Sequence, residues 1–413
     1  MGKMKKIMVL LLAMFVLLSV AGCGKEQEAK DSKTVEMHAD KDLENDMKTA
    51  KPILNEKSGL DLKIVITPDY TAYQTNIQQS LGTNNAPGIF TWWAGSQLET
   101  LVKNDMVEDL TDQWNKYYLK NGVSEEVAKA LTVDGKIYGA PLNIIYNGVY
   151  YNKEIFEKYG LKEPTTFEEF LALCETLKKK GITPIGIGNT WQSFSWPQAL
   201  MGSMDPDLYD EWTSGKIQFT DKRVKKVFYQ WIDMVKKGYF SKQEQDQPKD
   251  FATGKVAMIY NATNLLPGFR DEYGMKAGKT FDIFTLPSAT AEQKSTIFYE
   301  VAPFLVAKNS DQKENAKKIL QHYYEKDVQQ AYADKTGTSS ISSVEMKDSI
   351  SKKMSEQAND TTNYNLKLRY YEQFAPAVVN LSIDEYWKIF ANPTKEQVDK
   401  SLEAIQKEQD KQK

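Results

Sequence analysis

The sequence predicts an α/β protein with two domains, and two observations carry this prediction. Short β-branched runs alternate with helical spacing along the chain, and 413 residues exceed what one hydrophobic core usually serves. Hydrophobic residues make up 41% of the chain, and the 53 basic residues nearly balance the 56 acidic ones. This profile is typical of a folded protein and disfavours both disorder and electrostatic binding of nucleic acid.

The start of the chain is predicted to be an export signal followed by a tether. Residues 1–22 combine a basic start, an apolar run at 7–20 and two small residues, as in a signal peptide. The apolar run is shorter than the ~20 residues that span a bilayer. Residues 20–23, Val-Ala-Gly-Cys, resemble a bacterial lipobox, which predicts that Cys23 is lipidated; the alternative is a chance cysteine beside an ordinary cleavage site. Polar residues 23–34 would then tether the anchor to the fold.

Strands and helices alternate along the mature chain before helices take over. The predicted strands lie at residues 62–66, 88–93, 185–188 and 256–260. The predicted helices lie at residues 73–81, from 98 onwards, at 166–180, 311–325, 344–358 and 395–407. Such alternation predicts parallel strands, whose loops at the carboxyl ends gather in a crevice.

The usual catalytic and metal-binding motifs are absent from the sequence. Two histidines and two cysteines leave little for a metal site, a histidine relay or a disulfide framework. Cys174 lies on an apolar helical face, where a buried thiol is expected. Asp205, Asp207 and Asp210 could suggest calcium, but Pro206 favours a helix start. We therefore expect no metal and no cofactor, while a carboxylate pair for glycoside hydrolysis stays open.

Tryptophan placement indicates the kind of ligand. Four tryptophans fall in predicted loops at strand ends, namely Trp92, Trp93, Trp191 and Trp196. Such loops form clefts, and an indole face can stack on a sugar ring while polar side chains bind its hydroxyls. Three others lie on helical stretches and are expected in the core, namely Trp212, Trp231 and Trp387. The pattern predicts sugar recognition.

Several segments point to one family when they are taken in order. The longest combines NGVYYNKEIFEKYG at residues 147–160 with EPTTFEEF at 163–170. Shorter segments lie at residues 85–90, 107–111, 251–258 and 302–308. From the lipobox to about residue 343, this ordered set resembles family 1 of the extracellular solute-binding proteins, the substrate-binding lipoproteins of ABC sugar importers.

This resemblance implies a type II periplasmic-binding-protein-like fold. Two interleaved α/β lobes would be joined by a hinge of crossing strands and would close on a ligand held between them. The first lobe would take residues 35–142 plus 302–345, and the second residues 143–301 plus 346–413. Catalysis would be absent, and closure would be driven by contacts made only in the closed state.

The remaining candidate ligand-binding residues lie near the implied crossings or in the loop after residue 258. They are Tyr146, Asn147, Asn261, Thr263, Asn264 and Glu300. Asn264 stands where the family often has a tryptophan, and Gly88 where it commonly has an aspartate, so stacking would rest on the loop indoles. Glu300 could accept from two hydroxyls or form a surface ion pair, and Tyr146 and Asn147 could instead serve hinge packing.

Together these observations predict a lipid-anchored substrate-binding subunit of an ABC importer. It would capture a carbohydrate, expected to be an oligosaccharide, and deliver it to the permease. Two alternatives stay open, a lipoprotein glycoside hydrolase and a binding protein for a non-sugar solute such as a peptide. The sequence leaves open which sugar is bound and which type of envelope surrounds the cell. We expect a monomer on the outer face of the cytoplasmic membrane.

Overall fold

The computed structural model of the chain describes residues 33–188, 192–242 and 246–412. The export signal, Cys23, most of the tether and Trp191 lie outside these residues. The contacts between Cα atoms group Val35–Lys413 as one unit, to which the fold below belongs. Across the described part of the chain, we find no helix that is both long and apolar enough to cross a membrane.

Eleven strands and nineteen α-helices form the described fold. The strands are β1 Thr34–Ala39, β2 Asp61–Ile66, β3 Ile89–Thr91, β4 Thr132–Val133, β5 Lys136–Ile137, β6 Ala140–Asn152, β7 Thr183–Gly186, β8 Val256–Ala262, β9 Phe281–Phe284, β10 Ser295–Val306 and β11 Tyr364–Leu368. The helices are α1 Leu43–Asp46, α2 Ala50–Ser58, α3 Tyr70–Leu81, α4 Ser96–Lys103, α5 Thr111–Gln113, α6 Glu125–Ala130, α7 Lys153–Lys158, α8 Phe167–Lys179, α9 Ser195–Met204, α10 Pro206–Thr213, α11 Lys222–Lys236, α12 Gln247–Ala252, α13 Leu266–Asp271, α14 Lys313–Tyr323, α15 Lys326–Thr336, α16 Ser349–Asn359, α17 Tyr370–Gln373, α18 Pro376–Ala391 and α19 Lys395–Asp410. The predicted elements are all present, most of them shifted by a few residues at their ends.

Nine strands form one mixed sheet in the order β2-β1-β3-β10-β6-β8-β7, with β11 on β10 and β9 on β6. The pairs β1–β3, β7–β8 and β10–β11 are parallel, whereas β3–β10, β10–β6 and β6–β8 are antiparallel. The prediction of parallel strands is therefore wrong for the middle of the sheet. The reason is that β6 and β10 run through the centre against their neighbours and are not members of βα repeats.

The two central strands are also the longest. β6 has 13 residues and β10 has 12, and nearly every position in both is buried. Strands buried on both faces show no alternation of apolar and polar residues, so the period that marks a half-buried strand is missing from their sequences. These two strands were therefore not predicted as strands from their pattern.

The buried side chains form three clusters, and each of them includes residues of the central strands. One cluster draws on residues 35–142 and 299–341. The other two draw on residues 149–298 and 350–405. The predicted limits of the two lobes stay a prediction.

Several buried residues agree with the sequence analysis. Trp212, Trp231 and Trp387 are buried in the core. The Cys174 thiol is fully buried, and burial raises its pKa, so it is not an activated nucleophile. Asp205 accepts a hydrogen bond from the backbone N–H of Leu208 and so caps the start of α10. Among the described residues, no group of three or more His, Cys, Asp or Glu side chains is placed to hold a metal ion. The expectation that the protein needs no metal stays a prediction.

Candidate ligand-binding site

A cavity of about 710 Å³ lies at the central strands β6 and β10, and we call it the main cavity. Its lining residues are Asp40, Lys41, Asp46, Trp93, Asn143, Ile145, Asn264, Glu300, Arg369, Tyr371, Asn380 and Ile383. The volume falls in the range of about 300–1,000 Å³ that is usual for small-molecule sites. Loops that follow β1 and β3 supply Asp40, Lys41 and Trp93, as expected for the carboxyl ends of parallel strands.

A second cavity of about 160 Å³ adjoins the first, and we call it the small cavity. The two cavities share Asn264, Glu300 and Arg369. The small cavity is lined by further amides, namely Asn147, Gln192, Gln247 and Asn261. Amide groups both donate and accept hydrogen bonds, and some of theirs are used within the protein, since Asn261 Nδ2 donates to Gln247 Oε1 at 2.7 Å.

Three buried charged residues, which we call the Arg369 cluster, lie at the junction of the cavities. Arg369 Nη1 lies 2.6 Å from Glu300 Oε2, and Arg369 Nη2 lies 2.5 Å from Glu372 Oε1. Glu300 belongs to β10 and Glu372 to α17, while Arg369 directly follows β11. The cluster therefore ties the central strand to the chain segment that carries Tyr371.

The pKa values of the two carboxyl groups in the Arg369 cluster shift in opposite directions. Burial alone would raise the pKa of Glu300, but the charges of Arg369 and Lys41 outweigh burial and hold that pKa below its usual value. Burial raises the pKa of Glu372 despite Arg369, and the charge of Glu300 adds to this rise. The pKa of the Arg369 guanidinium is raised by both carboxylates against the effect of burial. Glu300 is thus the ionised acceptor that faces both cavities.

The structure separates the four candidate tryptophans. Trp93 lines the main cavity and is 9% exposed. Trp92 lines neither cavity; it packs against Trp93 and Phe90, with ring centroids 5.1 and 6.0 Å away. Trp196 is buried in the core beside Phe170, with a centroid distance of 6.1 Å, and also lines neither cavity. Trp191 lies outside the described residues.

The predicted polar residues split between the site and its support. Asn264 and Glu300 line the main cavity, and Asn147 and Asn261 line the small one. Tyr146 and Thr263 instead line a separate cavity of about 60 Å³, and the Tyr146 backbone N–H donates to Thr263 Oγ1 at 3.2 Å. Burial raises the pKa of Tyr146 to about 12. This contact joins β6 to the loop after β8, in agreement with the packing alternative for Tyr146.

Sequence reasoning missed most of the charged lining of the main cavity. The missed polar or charged residues are Asp40, Lys41, Asp46, Asn143, Arg369, Tyr371 and Asn380. One signal was available for Arg369, because the chain has only three arginines among its 53 basic residues. Arg223 and Arg270 form exposed ion pairs. Arg369 is therefore the arginine whose planar guanidinium binds two carboxylates in the interior.

The fold and the cavity at the central strands define a binding protein that holds a small solute in a cleft. Residues 50–359 match the family model of the bacterial extracellular solute-binding proteins. The chain belongs to this family, and the predicted family is confirmed. Members of the family are binding proteins, and their description places them outside the cytoplasm.

Individual relatives and solved structures agree with this assignment. An uncharacterized ABC transporter extracellular-binding protein of Pyrococcus horikoshii is 26% identical over 51% of this chain and 46% of its own length. The α-glucosides-binding periplasmic protein AglE of Rhizobium meliloti is 25% identical over 56% of this chain and 55% of its own. The chain thus spans about half the length of these relatives. A solved chitin oligosaccharide binding protein has a TM-score of 0.78 at 20% identity, covering 92% of this chain and 98% of the other. The predicted two-lobed α/β fold is confirmed.

Proposed function

We propose that the protein captures a carbohydrate and delivers it to the permease of an ABC importer. The main cavity carries this proposal, because it combines the indole of Trp93 and the ring of Tyr371 with carboxylates and amides. Aromatic faces stack on sugar rings and the polar groups bind hydroxyls. Relatives whose names refer to α-glucosides and chitin oligosaccharide support the same ligand class.

An oligosaccharide fits the site better than a single sugar ring. The main and small cavities adjoin, and Asn264, Glu300 and Arg369 line both. A ligand with several rings could occupy the two cavities while Glu300 binds hydroxyls at their junction. The lining residues come from both predicted lobes, so the closure of the lobes would bury such a ligand.

Delivery to a membrane requires that the protein stays close to it. The lipobox-like residues 20–23 support lipidation of Cys23 and attachment to the outer face of the cytoplasmic membrane. A catalytic role is not part of this proposal.

Thermal unfolding against a panel of sugars tests the proposal. A form of the protein that begins at Gly24 should show a raised midpoint with one class of oligosaccharide, since a ligand that binds only the folded state stabilises it by mass action. The sugar should be recovered intact after incubation. A shift with peptides but with no sugar would overturn the carbohydrate assignment, and steady release of cleaved sugar would overturn the binding-protein role.

Two neighbouring tryptophans provide a matched pair for this experiment. Trp93→Ala is expected to weaken sugar binding by about tenfold, which corresponds to about 1.4 kcal/mol of lost stacking and contact. Trp92→Ala removes an indole from the same core without changing the lining of either cavity. It should lower the free energy of unfolding and leave the dissociation constant nearly unchanged. Equal losses of affinity in both variants would show that Trp93 acts through folding alone.

A further inference from the structure

The buried cation of the main cavity is already occupied by the protein's own carboxylates. Arg369 Nη1 binds Glu300, and Arg369 Nη2 and Nε bind Glu372, with Nε at 3.0 Å from Oε2. The ring of Tyr371 lies 5.4 Å from the guanidinium carbon. A ligand carboxylate that took the position of either glutamate on Arg369 would have to displace Glu300 or Glu372. That exchange would leave a buried carboxylate without its cation, which is strongly unfavourable.

Lys41, the second cation of the cavity, is expected to attract a ligand carboxylate only weakly. Lys41 Nζ lies 3.7 Å from Glu300 Oε1, and the Lys41 side chain is 40% exposed. An exposed ammonium group is screened by salt and water and pairs weakly. Lys41 is also already engaged with the same carboxylate that Arg369 binds. It therefore does not form a ready-made pocket for an anion.

Carboxylates outnumber cations around the cavity. Asp40, Asp46 and Glu300 line it, and Glu372 lies directly behind Arg369. Lys41 and Arg369 are the cations among the described lining residues, and Lys335 lies close enough to Asp46 to act on it. Among the described lining residues, three carboxylates therefore face two cations. An anion that enters this cavity meets net repulsion.

A neutral sugar meets the opposite situation. Each carboxylate oxygen has more than one acceptor position, and hydrogen bonds from hydroxyls to an ionised carboxylate are among the strong ones. Asp40 Oδ1 accepts from Thr91 Oγ1 at 2.9 Å, which orients that carboxylate at the end of β1. Sugar hydroxyls can therefore donate to fixed acceptors without breaking an ion pair of the protein.

We propose that the main cavity takes uncharged sugars and excludes acidic ones such as uronates. This inference rests on the proposed carbohydrate function and names the ligand class of the same site. Like charges placed together in a binding site cost several kcal/mol. A uronate is therefore expected to bind at least about a hundredfold more weakly than the neutral sugar with the same rings and linkage.

Calorimetry with matched ligand pairs tests the inference. The probes are cellobiose, maltotriose and galactobiose, each beside the uronate made by oxidation of C6, at pH 7 and low salt. The protein is again the form that begins at Gly24. Asp46→Asn removes one carboxylate from the cavity and should narrow the preference for the neutral sugar by about tenfold. Asp112→Asn removes the same charge from an exposed site that is outside the cavity lining, and should leave the preference unchanged.

The outcomes separate this inference from the proposed function. The inference would be supported if a neutral sugar binds and if Asp46→Asn narrows the preference for that sugar over its uronate. A uronate that binds as tightly as its neutral partner, or an unchanged preference in Asp46→Asn, would overturn it while leaving carbohydrate binding in place. Binding of a non-sugar solute, with no sugar of either kind bound, would overturn both.

Discussion

Replacing Arg369 with methionine is expected to destabilise the protein by about 3–5 kcal/mol, because the change leaves Glu300 and Glu372 buried without their cation. The exposed fractions of these two side chains are 10% and 1%, so water cannot solvate both charges. Urea denaturation followed by circular dichroism measures the loss as a lower midpoint at constant slope. Because the cluster also joins both cavities, the same variant should lose sugar binding.

A surface arginine supplies the control for this experiment. Arg223 lies 2.6 Å from Glu211, and both side chains are about 40% exposed. Arg223→Met should cost less than about 1 kcal/mol, as is usual for exposed pairs. A loss for Arg369→Met that is no larger than this would mean that the buried carboxylates become protonated at little cost. If Arg369→Met causes the expected large loss, the double variant Arg369→Met with Glu372→Gln should recover part of the stability, since one unpaired charge is removed.

Gly95→Ala is expected to be the second most damaging change. Gly95 has φ 67° and ψ −139°, a conformation that other residues rarely adopt. A β-carbon at this position would lie 1.7 Å from the backbone oxygen of Glu372. Ser96 Oγ donates to the backbone oxygen of Phe374 at 2.6 Å beside it. The added methyl group should therefore push the loop after β3 away from α17 and cost more than about 3 kcal/mol.

Gly95→Ala is also expected to affect ligand binding, because the loop after β3 and helix α17 both contribute residues to the main cavity. Trp93 belongs to the loop and Tyr371 to α17, and both line the main cavity. Gly95→Ala should thus weaken sugar binding as well as lower the free energy of unfolding. Gly59 has a similar φ of 66° but has no heavy atom within 4 Å of its hypothetical β-carbon, so Gly59→Ala should cost about 1 kcal/mol and leave binding unchanged. Equal effects of the two substitutions would argue against the close approach at Glu372.

Local sequence signals predicted the parts of the fold that depend on local structure. Helix α8 begins after Thr166, with Glu168 and Glu169 in its first turn, and its apolar face is regular. The late helices α14, α16 and α19 were predicted from the same kind of pattern. The antiparallel centre of the sheet was not, since β6 and β10 are buried on both faces and their pairing joins distant segments.

The candidate site was predictable only in part for the same reason. Loop tryptophans indicate a cleft, and Trp93 does line the main cavity, but Trp92 is its direct neighbour in sequence and lies in the core. Which of two adjacent indoles faces the cleft depends on where the strand ends and how the loop turns. The Arg369 cluster joins residues 300, 369 and 372, and no periodic pattern connects positions so far apart.

The position of β10 in the sheet has a consequence for the order of synthesis and folding. β10 pairs with β3 and β6, although the whole of segment 92–294 separates it from β3 along the chain. The cluster that begins at Val35 also needs side chains from residues 299–341. The amino-terminal half of a growing chain therefore cannot complete its core until the ribosome has passed residue 341, and contacts between such distant segments form slowly. The export signal that the sequence predicts at residues 1–22 would benefit from this delay, because the chain would still be unfolded when it met the translocation machinery.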